Sequence, residues 1–417
     1  MIRNIMKDRL GDETSPERRT IRGHRTRPKI LVVGPIPPPH HGVSAVTWNL
    51  LNSSLRDDFE LLHLDITDRR SLVNVANLDI RNIWLALQHG LRFGYLLITE
   101  RPQLVYVPVS ERTLGFLRDS LFLAPARLTH RAVVVHLHGG SFDSFYRNSP
   151  GGLRWLIRFC LKHVDRAIVL GDAFQSIFSG IIPQERVCVV PNGIPGEPHE
   201  EHSVPFAAGP HKFRVLYLGN LWQSKGFLDF IQAAPSVLEK YPDAEFLLMG
   251  DDSFPEAKSA QAWVREQGLG SAVRFLGVRQ GADKIGTLKG SDVVVFPSRG
   301  SEGQPLVLLE AMAAGVPIVA TRHATADQTL GENGALYIRS GDPADLAEKV
   351  IALLGDPNLR SLIAARNRAR WEEFFTLEKF VASLRAVLLD ALANHDRKAS
   401  ALATASKSWR DSRSDSQ

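Results

Sequence analysis

From Lys29 onward the chain alternates short apolar, β-branched runs with longer stretches of helical spacing. KILVVG, FELLHLDI, LVYVPVS, AVVVHLHGG, RAIVLGD and VCVVPNG form a first series. FRVLYLGN, AEFLLMGD, VRFLGVR, DVVVFPSR, PIVAT and ALYIR form a second. Runs that are apolar at every position belong to strands covered on both faces, which means parallel sheets between layers of helices. Helical patterns near 226–240, 255–268, 281–289, 305–314 and 343–354 separate the second series. Residues 193–212, dense in Pro, Gly and charge, read as a linker. The fold class is therefore α/β, with two Rossmann-like parallel-sheet domains facing across a cleft between their strand ends.

The length of 417 residues suits two domains at roughly 100–200 residues each. Cys160 and Cys188 stand far apart in apolar contexts, as buried thiols of a reducing compartment do. The first 27 residues are polar and arginine-rich without an apolar core, unlike a secretory signal, and read as a disordered basic tail. No run of about 18 apolar residues is present. The nearest approach, residues 114–128, is interrupted by Arg118 and Asp119. A cytoplasmic location is expected. The net charge of +5 lies mainly in the amino-terminal tail. It suits a solvated arm or an anionic membrane surface, which the apolar segments 83–98 and 114–128 would also touch. Nucleic acid is not expected, because basic and aromatic residues do not interleave.

Residues 297–321, PSRGSEGQPLVLLEAMAAGVPIVAT, concentrate the chemistry. A strand runs into a small-residue loop with Glu302 and Gly303, and a helix opening near Pro305 carries Glu310. Gly315, Val316 and Pro317 stop it. Open α/β sheets bind ligands at this edge, and helix N–H groups favour phosphate. A carboxylate on either side of a phosphate suits a nucleotide-sugar, with one acid for hexose and one for ribose hydroxyls. A dinucleotide fingerprint is absent: the loop after the first strand reads Gly34-Pro-Ile-Pro-Pro-Pro-His-His-Gly42.

Glu302-x7-Glu310 resembles the E-x7-E signature of the family-4 retaining glycosyltransferases of GT-B fold, with Gln304 where Phe or Leu is commoner. Gly219-Asn220 followed by Lys225-Gly226 is similar to that family's G-R-x-x-x-x-K-G, with Asn220 in the arginine position. His41-Gly42 stands where the family has two glycines, His138 where it has a strand-end histidine, and Val190-Pro191-Asn192-Gly193 resembles its V-P-N-G-V/I-D. The resemblance implies an acceptor domain over residues 28–195, a linker over 196–212 and a donor domain over 213–375. A crossover helix over 376–394 and a disordered tail over 395–417 complete it. It further implies Lys225, Glu302 and His138 as catalytic residues. Gly42, Asn220, Lys225, Gly277, Glu302, Gly303, Gln304, Pro305, Leu306, Val307 and Glu310 would bind the donor, with Gly277 near the nucleobase. His136 reads as a hydrogen-bonded core histidine, and Asn192-Gly193 as a structural turn.

Breaking an anomeric C–O bond builds negative charge on a diphosphate leaving group. Lys225, the N–H groups of Gly303 to Val307 and the helix dipole would stabilise it. Glu302 would orient the sugar and Glu310 the ribose. The family implies same-face attack, with the leaving phosphate taking the acceptor proton. No carboxylate pair of the retaining-glycosidase kind and no Asp-x-Asp metal clamp is evident, so neither metal nor cofactor is expected. The partners would be a nucleotide-sugar donor and a glycan or lipid-linked acceptor of surface polysaccharide or glycoconjugate synthesis. A nucleotide-sugar epimerase or glycosyl phosphorylase of the same fold, and a silent scaffold in polysaccharide assembly, are the alternatives.

Overall fold

The computed structural model describes residues 27–69, 80–196 and 213–414. The expected basic tail, apart from its last residue, and the linker from residue 197 on lie outside the described residues. All twelve apolar runs form strands. In the first half these are β1 (Lys29–Gly34), β2 (Glu60–Asp65), β3 (Leu104–Val109), β4 (Ala132–Leu137), β5 (Arg166–Val169) and β6 (Val187–Val189). Around them lie α1 (Gly42–Leu51), α2 (Leu55–Asp58), α3 (Ile80–Thr99), α4 (Thr113–Leu128), α5 (Phe142–Asn148) and α6 (Gly151–Leu161). The second half holds β7 (Arg214–Leu218), β8 (Glu245–Met249), β9 (Val273–Gly277), β10 (Val293–Phe296), β11 (Ile318–Thr321) and β12 (Leu336–Ile338). Its helices are α7 (Phe227–Lys240), α8 (Pro255–Glu266), α9 (Gly281–Lys289), α10 (Leu306–Ala314), α11 (Ala324–Leu330), α12 (Pro343–Gly355), α13 (Pro357–Phe374) and α14 (Leu377–Ser414).

Each set makes one six-stranded sheet, in the orders β2-β1-β3-β4-β5-β6 and β12-β11-β10-β7-β8-β9. Every pairing is parallel. Strands β3, β4 and β10 are buried at every position, as double coverage requires. Each sheet has a separate apolar core on either face. On one face of the first sheet Phe380, Val381, Leu384, Leu388 and Ala391 of α14 join Ile30, Val32, Tyr106 and Val134. The last helix thus crosses back and completes the first domain, as the family resemblance implied.

Two expectations need correction. The tail expected to be disordered from residue 395 continues α14 as helix to Ser414. Extending a helix already anchored by packing costs little, and Ala, Lys and Arg in this segment favour it. Cys160 is buried, but Cys188 is only half-buried, because β6 is an edge strand.

The domains are joined twice, at neighbouring places. Ile194 N–H donates to Phe375 O (3.1 Å) and Leu377 N–H to Ile194 O (2.8 Å), so the outgoing and returning chains pair as a short parallel bridge.

Candidate functional site

In the second sheet the strand order reverses between β7 and β10, so the loops leaving these neighbours start side by side and open a crevice. The loop after β7 turns through Gly219 (φ 151°) and Gly226 (φ 74°), conformations that favour glycine. A Cβ on Gly226 would lie 1.9 Å from Pro297 O, so the two loops are in backbone contact. Arg299 N–H donates to Ser224 O at 2.8 Å and ties them further. This packing delivers Lys225 Nζ to Glu302 Oε1 at 2.6 Å, and the same oxygen accepts from Ser298 Oγ at 2.7 Å. Tyr217 Oη donates to Asn220 O (2.9 Å) and holds the start of the β7 loop.

Glu310, on the second turn of α10, accepts from Lys284 Nζ of α9 at 2.6 Å through Oε1. Its other oxygen, Oε2, is buried and has no protein partner. Each signature glutamate therefore carries one lysine. Helix α10 opens on Pro305 and ends at Gly315 in the left-handed conformation (φ 66°), the stop read from the sequence.

The first domain closes over this crevice. The loop after β1 passes through cis bonds at Pro37–Pro38 and Pro38–Pro39 to His41. His41 takes the helix-capping position: Nδ1 accepts from Ser44 N (3.3 Å), and Ser44 Oγ accepts from His41 N (3.0 Å). Gly42 then begins α1, where an added Cβ would meet nothing within 4 Å. Helices α1 and α10 thus begin at one space, which Gly42, Val43, Leu306 and Val307 of their first turns line. His138, at the end of β4, faces the same space. His136 is fully buried and bonded to Tyr106 Oη at 2.5 Å, with its ring 4.0 Å from that of His138.

The domains touch at the cleft floor. Gln304 Oε1 accepts from Asn192 N (2.6 Å), and Asn192 Nδ2 donates to Gln304 O (3.3 Å). A Cβ on Gly303 would lie 1.9 Å from His138 O, so only glycine lets the acidic loop approach β4 this closely. Asn192 is more than the turn residue expected, and Gln304, a departure from the family pattern, is its partner.

Gly42, His138, Asn220, Lys225, Glu302, Gly303, Gln304, Pro305, Leu306, Val307 and Glu310 line this one cleft of ≈ 600 Å³. Gly277 does not line it. It ends β9 with φ 66°, its carbonyl accepts from Gly250 N at 3.0 Å, and the following Val278 and Arg279 face the cleft instead. Sequence reasoning also missed Lys284 and Arg279. Their signal was position, since both follow β9 at the carboxyl edge. Among the described residues no group of three or more His, Cys, Asp or Glu is placed to hold a metal ion.

Burial pushes the imidazoles of His41 and His138 down to about 4, each with a smaller push from a neighbouring histidine. In the unfolded chain they protonate near 6.5. The unfolded state therefore binds more protons between these values, and stability is lost as pH falls from about 6.5 towards about 4. The loss reaches on the order of 3 kcal/mol per imidazole at full extent. A protonated His41 also cannot accept from Ser44. Urea denaturation at pH 7 and pH 5 is expected to show the slope, and His41→Asn, which keeps a capping side chain, to reduce it, the remainder belonging to His138, His136 and the other buried imidazoles. An unchanged slope in that variant would place the proton uptake elsewhere.

Comparison with known proteins gives three findings. The profile described as Glycosyl transferases group 1 matches residues 212–356. The chain is 34% identical over 181 residues to a phosphatidyl-myo-inositol mannosyltransferase of Mycobacterium leprae, covering 42% of this chain and 46% of that protein. It is 27% identical over 286 residues to the UDP-Gal:alpha-D-GlcNAc-diphosphoundecaprenol alpha-1,3-galactosyltransferase of Escherichia coli, covering 64% and 72%. The chain spans about half the length of the first curated relatives it matches. Among solved structures, Anabaena HepE in complex with UDP and glucose superposes with a TM-score of 0.64 at 18% identity, covering 87% of this chain and 99% of that one. A sucrose-phosphate synthase from Thermosynechococcus elongatus superposes with a TM-score of 0.70 at 16% identity, covering 88% and 100%.

Proposed function

We propose that this chain, which has the GT-B fold and matches the Glycosyl transferases group 1 profile over residues 212–356, moves a hexose-type sugar from a nucleotide-sugar to a lipid-linked or glycan acceptor, with retention at the anomeric carbon. The observation that carries the reading is the Lys225–Glu302 pair at the β7/β10 switch point, facing His138 and two helix amino-termini.

The diphosphate lies along the N–H groups of Gly303, Gln304, Leu306 and Val307, with Lys225 as the cation beside the leaving oxygen. As the anomeric bond breaks, charge moves onto that oxygen, and fixed donors already aimed there lower the barrier. Glu302, held by Ser298 and Lys225, accepts from sugar hydroxyls. The unpartnered Oε2 of Glu310 accepts from a ribose hydroxyl. The acceptor enters from the first domain past Gly42 and His138. Its proton passes to the leaving phosphate, and attack comes from the departing face. No metal or other cofactor takes part. Relatives named for phosphatidyl-myo-inositol and for diphosphoundecaprenol favour a lipid-borne acceptor. Work on such an acceptor suits a protein at the inner membrane face.

The test is thermal unfolding against a panel of nucleotide-sugars, followed by product analysis with the responding donor. A true donor at a hundredfold excess over Kd is expected to add about 2.7 kcal/mol of stability. Release of nucleoside diphosphate with a new glycoside of unchanged anomeric configuration supports the reading. An isomerised donor would assign an epimerase, and binding without turnover of any acceptor class a scaffold.

A further inference from the structure

Helix α3 has two apolar faces and only one of them is covered. Phe93 and Leu97 are buried against the first sheet and α4, with the Phe93 ring 5.3 Å from that of Phe122. On the opposite side Ile83, Trp84, Leu87, Leu91, Tyr95 and Ile98 are between 50% and 77% exposed. Their spacing, 83-87-91-95 and 84-91-98, makes two adjoining rows along the helix, a continuous patch and not scattered single residues. A 20-residue helix carries this stripe over about 30 Å.

Charge decides what fits it. Helices α3, α4 and α6 together contain one acid, Asp119, which is fully buried and bonded to Arg118 at 2.8 Å. Their exposed charges are all cationic, Arg81 and Arg92 on α3 and Arg154 and Arg158 on α6. Trp155 of α6, 66% exposed, adds a second indole to this layer. Exposed leucine, isoleucine and tryptophan beside arginine, with no exposed carboxylate on these three helices, match the interface of an anionic bilayer, where indole and guanidinium groups sit at headgroup depth. Each cation near such a surface raises partitioning by roughly fivefold.

We propose that the exposed face of α3, with the α6 surface on the far side of α4, docks the protein onto an anionic lipid bilayer. No helix among the described residues is long and apolar enough to cross a membrane, so the contact is lateral. Its place suits the reaction. Helices α3 and α4 start from the carboxyl side of the sheet, so Ile83 and Trp84 lie at the cleft end of the stripe. A lipid-borne acceptor then reaches the first domain without leaving the bilayer. The purpose rests on the proposed function, but the docking does not.

Flotation of the full chain with phosphatidylcholine vesicles, with and without about one-third phosphatidylglycerol, tests it without any nucleotide-sugar. Partitioning is expected to be roughly tenfold or more stronger on the anionic vesicles, and to weaken with salt. Leu87→Glu with Leu91→Glu should reduce it by roughly tenfold or more. Arg81→Glu with Arg92→Glu should reduce it on anionic vesicles only. Thermal midpoints and donor protection, read without vesicles, should be unchanged in all variants. No partitioning, or equal partitioning of the Leu87/Leu91 variant, overturns the proposal. So does a wild type that sediments as a dimer, ignores vesicles and becomes monomeric in that variant, which would assign the face to a second copy. Loss of donor protection in the wild type would instead count against the proposed function alone.

Discussion

Lys225→Ala is expected to lower kcat with the responding nucleotide-sugar by about 10²–10³-fold, the loss found when one preorganised donor to a developing oxyanion is removed. The folded state should survive, because Lys225 sits at the end of a turn fixed by backbone bonds and by Gly226 against Pro297. Release of nucleoside diphosphate under saturating donor measures the effect, with denaturation midpoints as the control. Binding should weaken less than turnover, because the ammonium faces more charge as the leaving group departs. Lys225→Arg is expected to recover little, since a planar guanidinium does not replace a compact ammonium 2.6 Å from Glu302. Glu302→Ala should be similarly damaging, and the double variant little worse than either single one, because the two side chains form one unit. Multiplying losses would show independent roles, and a kcat within about fivefold of wild type in Lys225→Ala would remove the residue from the chemistry.

Glu310→Ala should behave in the opposite way. The ribose does not change charge during transfer, so a carboxylate holding it binds ground state and transition state equally. Hydrogen bonds to charged groups contribute about 1.5–3 kcal/mol, so donor affinity should fall by roughly 10–100-fold with kcat nearly unchanged. Titration calorimetry with the nucleoside diphosphate alone reads this without an acceptor. The unpartnered Oε2 makes the expectation specific: an acceptor with no protein partner gives up no bond inside the protein when the donor hydroxyl arrives. A fall in kcat with unaltered affinity would exchange the roles of the two glutamates.

The twelve strands were legible because parallel strands buried on both faces are apolar at every position, a pattern that needs no partner to be recognised. The acidic loop and Lys225 were legible because the loops after β7 and β10 have a short, fixed grammar of glycine, acid and helix start. What escaped depends on groups far apart in sequence. Gln304 stands out only against the family pattern, and its bond to Asn192 spans 112 positions, beyond any local periodicity. Lys284 belongs to an unremarkable amphipathic helix until that helix is laid beside α10. Gly277 carried a positional expectation, but the following two residues face the cleft. Only the end of the final helix was misread, because Ser, Asp and Lys beyond residue 394 suggested a solvated tail, whereas the chain had already been nucleated as helix by Phe380, Leu384 and Leu388 on the first sheet.

The paired crossing at Ile194 and Thr376 acts as a mechanical pivot. Two chains bonded side by side resist sliding and stretching but still allow rotation about their common line, so the domains have one easy degree of freedom between them. Contacts across the cleft, among them Asn192 with Gln304, Gly303 with the end of β4 and Gly171 with Gln328, hold the closed angle. A small torque there swings Glu302 and Glu310 away from Gly42 while the pivot keeps its bonds. Substrate admission and product escape can therefore proceed by opening the cleft, with the Asn192–Gln304 hydrogen bonds broken and the acidic loop parted from the end of β4, while the pivot keeps its bonds.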